Sequence, residues 1–150
     1  MPTTRTEKKL VLDTHVWFWL MNGEERLKKN KHHPLSFINQ ASERMNLLVS
    51  AISVWEISML EAKGRVRFET GCLKWVKEAL SAPGIQLLPL TPEIAIESTR
   101  LPGIFHGDPA DHILVASARL LNADLVTADE KIHAYAKEGW VCILKACFFW

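Results

Sequence analysis

Four acidic residues occupy places where a carboxylate could do chemistry: Asp13, Glu56, Asp111 and Asp129. Asp13 closes the apolar run Leu10-Val11-Leu12, where an unpaired carboxylate is costly. Glu56 lies early in the helical stretch that follows Leu47-Leu48-Val49-Ser50. Asp111 falls in the first turn of a helix opened by Asp108-Pro109, and Asp129 comes directly after Leu125-Val126-Thr127. Carboxylates gathered in one crevice repel one another by about 1 to 4 kcal/mol per pair at 4 Å, depending on the local dielectric. A divalent cation removes that repulsion. An all-oxygen ligand set favours Mg²⁺ or Mn²⁺, and such an ion activates water and stabilises the charge developing on a phosphate during in-line displacement.

Each acid also has a structural reading. Asp108 before Pro109 is a good N-cap. Asp111 complements a helix dipole from the first turn. Glu56 has capping-box spacing from Ser53, and Asp129 is placed to cap the last helix. The histidines carry less: His15 and His112 follow acids closely and could face the crevice. His32, His33, His106 and His133 read as surface or loop residues, and no His-x-x-x-His pair suggests zinc.

The elements that must position these acids follow from periodicity. Lys9–Asp13 reads as a short buried strand, with a helix from about Thr14 that Asn22-Gly23 ends. Residues 24–33 are charged and irregular, and a helix opens at Pro34. Leu47–Ser50 is a strand, followed by a helix that Gly64 stops and another over Leu73–Ser81. Ile85–Leu90 is a strand, Pro92–Thr99 a short helix and Pro102–Gly107 a loop. Pro109–Asn122 is the clearest helix; Asp124–Thr127, Asp129–Lys137 and Val141–Leu144 complete the pattern as strand, helix and strand. Short apolar strands alternating with helices predict an α/β fold, a parallel sheet covered on both faces. In such a unit the end of a strand and the start of the next helix share one edge of the sheet, so all four acids belong on one edge. Whether they converge depends on strand order, which periodicity does not give.

The 150 residues suit one domain with a sizeable core. The net charge of +1 does not force a basic face, so nucleic-acid binding has to rely on local clusters. Two exist: Arg26, Lys28, Lys29 and Lys31, and then Lys63, Arg65 and Arg67. Three cysteines, Cys72, Cys142 and Cys147, with no Cys-x-x-Cys, argue against a disulfide framework or a thiolate zinc site. No apolar run reaches membrane-spanning length and the polar start is a poor secretory signal, which makes the cytoplasm the expected location. Residues 1–8 read as a flexible lead, 9–145 as the domain and 146–150 as an apolar tail.

The motifs resemble those of PIN domains. Leu-Val-Leu-Asp13-Thr14-His15 is similar to the family's opening strand and turn, and Val54-Trp55-Glu56-Ile57 to its second acidic motif. Gly107-Asp108-Pro109-Ala110-Asp111-His112-Ile113-Leu114 resembles the third, in the form usual for VapC-type toxins, and Leu125-Val126-Thr127-Ala128-Asp129 the fourth. The likeness runs from about Leu10 to Leu144 with all four motifs in order. It implies a PIN-like three-layer fold with five parallel strands, the first central, which would bring the acids together. It also implies Mg²⁺- or Mn²⁺-dependent cleavage of RNA. The metal ligands would be Asp13, Glu56, Asp111 and Asp129, supported by Thr14 and Thr127 through hydrogen bonds. The departures are a longer polar lead, His112 where many relatives carry Arg, and the apolar tail.

VapC-type toxins are held by an antitoxin and tend to form homodimers, so the resemblance implies a cognate antitoxin and a second copy as partners. Trp17, Phe18, Trp19, Leu20 and Met21 put aromatic groups on more than one face of the first helix. They lead to the expectation that an antitoxin peptide crosses the first two helices and buries Trp17 or Trp19. The alternative is a helix packed between the sheet and another helix. Two other classes compete with the ribonuclease. A non-catalytic PIN-like module that binds RNA or protein would be expected to have lost a site acid. A phosphoryl-transfer enzyme with an aspartyl nucleophile, of the haloacid-dehalogenase type, wants a second acid two residues after Asp13, where His15 stands.

Overall fold

The computed structural model describes residues 8–29 and 32–146. Most of the expected lead, Lys31, Cys147 and the tail beyond Ala146 lie outside the described residues. The first half of the chain runs β1 (Leu10–Leu12), α1 (Thr14–Met21), α2 (Glu25–Lys28), α3 (Pro34–Glu43), β2 (Leu47–Ser50), α4 (Ala51–Ala62) and α5 (Cys72–Leu80). The second half runs β3 (Ile85–Leu88), α6 (Pro92–Ser98), α7 (Pro109–Leu121), β4 (Asp124–Thr127), α8 (Glu130–Lys137) and β5 (Ile143–Lys145). All strand pairs are parallel, in the spatial order β3-β2-β1-β4-β5.

That order dictates the layers. From β1 the chain steps outward to β2 and β3, then returns across the sheet to β4 and on to β5. Right-handed crossovers in opposite directions must use opposite faces. Leu10, Leu12, Leu47, Val49 and Val126 therefore meet α1, α3, α4 and α5 on one face. Val11, Leu48 and Leu125 meet α7 and α8 on the other. Strand residues alternate between faces but find apolar partners on both, which is why these segments read as unbroken apolar runs.

Three expectations need correction. Residues 24–33 are not irregular throughout, because α2 forms and buries Leu27. Ser53 and Glu56 do not form a capping box: α4 starts at Ala51, capped by Ser50, whose hydroxyl accepts from the Ile52 N–H at 3.1 Å. His133 is not a mere surface residue, since its Nε2 lies 2.8 Å from the carbonyl oxygen of Thr127.

Candidate functional site

The crevice expected of such a sheet lies where the chain direction reverses, outside the carboxyl ends of β1 and β4. Asp13 follows β1 and Asp129 follows β4. Asp13 is 7% exposed, so its carboxylate needs internal partners. One oxygen caps α1, accepting from the Thr14 N–H at 2.7 Å. The other accepts from the Thr127 hydroxyl, also at 2.7 Å. That hydroxyl oxygen in turn accepts from the Asp129 N–H at 3.0 Å. The two strand ends are thus tied through one threonine, and Asp129 caps α8 through Ile132 N–H at 3.0 Å.

Glu56 reaches the same edge from α4. The Thr14 hydroxyl lies 2.5 Å from Glu56 Oε1 and 2.8 Å from the Ser53 hydroxyl. With a single proton it donates to the carboxylate and accepts from Ser53. Ser53 is fully buried and is a supporting residue that sequence reasoning missed. Its signal was present: once Ser50 is taken as the cap directly after the strand, Ser53 and Glu56 fall three apart on one face of α4.

Asp111 enters from α7. Its amide donates to the Asp108 carboxylate at 2.9 Å, and its own carboxylate accepts from the Asp108 N–H at 3.3 Å. Asp108 is the N-cap expected of it, and the return bond from Asp111 makes the cap reciprocal, which went unforeseen in the sequence. Gly107 lets the loop come close: a Cβ there would stand 2.5 Å from the Phe105 ring and 2.8 Å from Asp111 Cβ. His112 turns its Nδ1 to the Asp108 carbonyl oxygen at 2.8 Å and rests on Phe105. His15 is exposed, next to Asp13.

The electrostatics reflect this gathering. Burial raises the pKa of Asp13, offset in part by the Thr127 bond and His15, with Asp129 pushing it further up. Burial also raises Glu56, against the Thr14 bond, and the charges of Asp13 and Asp108 add to the rise. Asp111 is pushed up to about 7, first by burial and then by Asp108, Asp13 and Asp129. The acids repel across a shared space without closing on it: among the described residues no three His, Cys, Asp or Glu side chains converge closely enough to hold an ion as they stand. Three of them, Asp13, Asp111 and Asp129, spend a carboxylate oxygen on helix caps. An all-oxygen set of mutually destabilised carboxylates is nevertheless what a hard divalent cation fits.

The first helix corrects the expected partner surface. Trp17 is fully buried and Trp19 only 3% exposed, so neither awaits an antitoxin. Trp75 of α5 packs on Trp17, with ring centroids 5.2 Å apart, and on Phe18 at 5.8 Å. Phe68 adds an edge contact to Phe18. Arg26 stacks its guanidinium over Trp19 at 5.1 Å. A helix clamped between sheet and second helix buries aromatic groups on two faces, which is the alternative the sequence allowed.

A five-stranded parallel sheet with its first strand central and an acidic crevice at the carboxyl edge defines a class of α/β proteins whose chemistry sits at that edge. The match to the PIN domain family model spans residues 10–138, and the chain belongs to that family. It is 28% identical over 126 residues, 84% of this chain and 91% of the relative, to Ribonuclease VapC22 of Mycobacterium tuberculosis (strain ATCC 25618 / H37Rv). The fold is similar to that of a DNA-bound VapBC from Salmonella typhimurium: TM-score 0.63, 16% identity, covering 93% of this chain and 99% of that one. It is similar also to PAE2754 from Pyrobaculum aerophilum: TM-score 0.60, 17% identity, covering 93% and 84%.

Proposed function

We propose that this chain is a ribonuclease, the toxin of a toxin–antitoxin pair, that hydrolyses RNA phosphodiester bonds with Mg²⁺ or Mn²⁺. The observation that carries the reading is geometric: Asp13 and Asp129, tied through Thr127, stand at one sheet edge with Glu56, which is bonded to Thr14, and with Asp111 in the first turn of α7, every motif acid being retained. That retention argues against a non-catalytic module. These four residues would hold the cation, which when bound supplies an activated water and stabilises charge on the phosphate. Thr127 fixes Asp13 and the start of α8 in one register; Thr14 aims Glu56. Burial and the neighbouring carboxylates push the Asp111 pKa up to about 7, and a cation held in the crevice would favour its charged form.

Such a toxin works in the cytoplasm with a cognate antitoxin as inhibitor and a second copy as dimer partner. No helix among the described residues is long and apolar enough to cross a membrane. The test is cleavage of RNA by the purified protein. Activity with Mg²⁺ or Mn²⁺, lost in EDTA and restored by either ion, is expected; full activity in chelator would overturn the metal-dependent reading.

A further inference from the structure

The two basic clusters separate once the structure is seen. Arg26 is committed to Trp19, and Lys28 and Lys29 lie 4.0 and 3.5 Å from Glu25. Lys63 and Arg65 instead line a cleft of about 380 Å³ that also contains Thr14, His15, Glu56 and Asp108, and neither cation forms a salt bridge among the described residues. The cleft runs from Glu56 along α4 and is lined there by Trp55 and Met59. Trp55 is 56% exposed, and the series Trp55, Met59, Lys63 follows one face of α4 at four-residue spacing.

The helix end holds the cations there. Gly64, at φ +71°, turns the chain back. Its N–H donates to the Glu61 carbonyl and the Arg65 N–H to the Leu60 carbonyl, both at 2.9 Å. This paired closure fixes Arg65 against the last turn. Favourable interaction with the helix dipole accounts for cations at this end, but not for a large indole left in solvent between them and the acids.

We propose that this cleft is a subsite for single-stranded RNA, in which Trp55 stacks on an unpaired base and Lys63 and Arg65 hold the phosphate beyond it. The inference rests on the nuclease reading and names the side chains of this chain that would grip the strand beside the acids. An aromatic face accepts any base, while a base inside a duplex presents no face to stack on. The placing of charge favours RNA over protein: Glu56 and Asp108 line the cleft at the end where a cation would sit, and Lys63 and Arg65 line it at the end of α4, where a phosphate finds them complementary and a basic peptide segment does not.

The experiment uses a fluorescein-labelled 12-nucleotide single-stranded RNA and a duplex of the same sequence. Binding is measured with Mg²⁺ in the Asp13→Asn background, so that nothing is cut, and cleavage in the otherwise wild-type protein. Trp55→Ala should weaken single-strand binding about tenfold and raise KM more than it lowers kcat. Trp55→Phe should restore most of the affinity, and duplex binding should not change. Lys63→Ala with Arg65→Ala should lower the slope of log affinity against log salt by roughly 1.4. Both sites are exposed, and circular dichroism checks the fold. Unchanged single-strand affinity and salt slope, in a protein that cleaves RNA normally, would overturn the subsite alone. The same result with weakened binding of the cognate antitoxin would assign the cleft to protein. Absence of any RNA binding or cleavage by the parent protein would overturn the nuclease reading itself.

Discussion

At the scale of single residues, Thr127 is the hub. It is fully buried, donates to Asp13 and accepts from the Asp129 amide. Thr127→Val keeps the shape and removes both bonds, so metal affinity measured by calorimetry should fall roughly 10- to 100-fold while the fold persists. Asp13→Asn should abolish cleavage yet leave a folded protein, because the amide oxygen still caps α1; near-normal rates with normal metal dependence would exclude Asp13 as a ligand. Asp111 gives the pH prediction. Its folded pKa of about 7 lies above the ordinary 3.8, so the folded state binds the extra proton between these values. Metal-free stability should therefore fall as pH rises from about 4 to about 7. Urea midpoints across that range should decline in wild type, decline less in Asp111→Asn, and decline less with saturating Mn²⁺. Asp13 stood out in the sequence because a carboxylate closing an apolar strand is costly; Glu56, Asp111 and Asp129 each read equally as helix caps or dipole partners and were drawn in only by their shared edge and the family resemblance. Ser53 was not legible, because one serine three residues past another offers two possible caps, and choosing the second turned Glu56 into a capping partner.

At the scale of elements, helix type and order followed from periodicity, but the surroundings of α1 did not. A stretch with Trp17, Phe18 and Trp19 in a row is compatible with an exposed groove or with burial on two sides. The decision rests on Trp75 and Phe68, more than 45 residues away in sequence. Burial makes a prediction: Trp17→Ala should lower unfolding stability by about 3 to 5 kcal/mol, read from urea denaturation, rather than selectively weaken partner binding. A loss under about 1 kcal/mol would contradict the clamp. The short α2 was hidden by its charges, since Leu27 alone buries and one apolar residue sets no period.

At the scale of the whole molecule, strand order was the missing quantity. Residue pattern places each acid at the carboxyl edge, but only β1 lying between β2 and β4 makes that edge one site; the family resemblance, not the periodicity, supplied it. On the proposed reading, a cation held by all four segments binds the folded chain and not the unfolded one. Mn²⁺ at a hundred times its dissociation constant should therefore stabilise the protein by about 2.7 kcal/mol, seen as a shift in thermal midpoint that Asp13→Asn largely removes. An equal shift in the variant would place the ion elsewhere.

The bond between Thr127 and Asp13 joins positions 114 residues apart. A ribosome makes the chain in order, at roughly 5 to 20 residues per second, and it lays down Thr127 and Asp129 well after Asp13. Until β4 slides in beside β1, Asp13 has no hydroxyl to orient it and Asp129 does not yet stand opposite. On the proposed reading, a chain whose synthesis has not yet passed β4 holds Asp13 without its partner hydroxyl, so cleavage of RNA has to wait for the last of the four motifs.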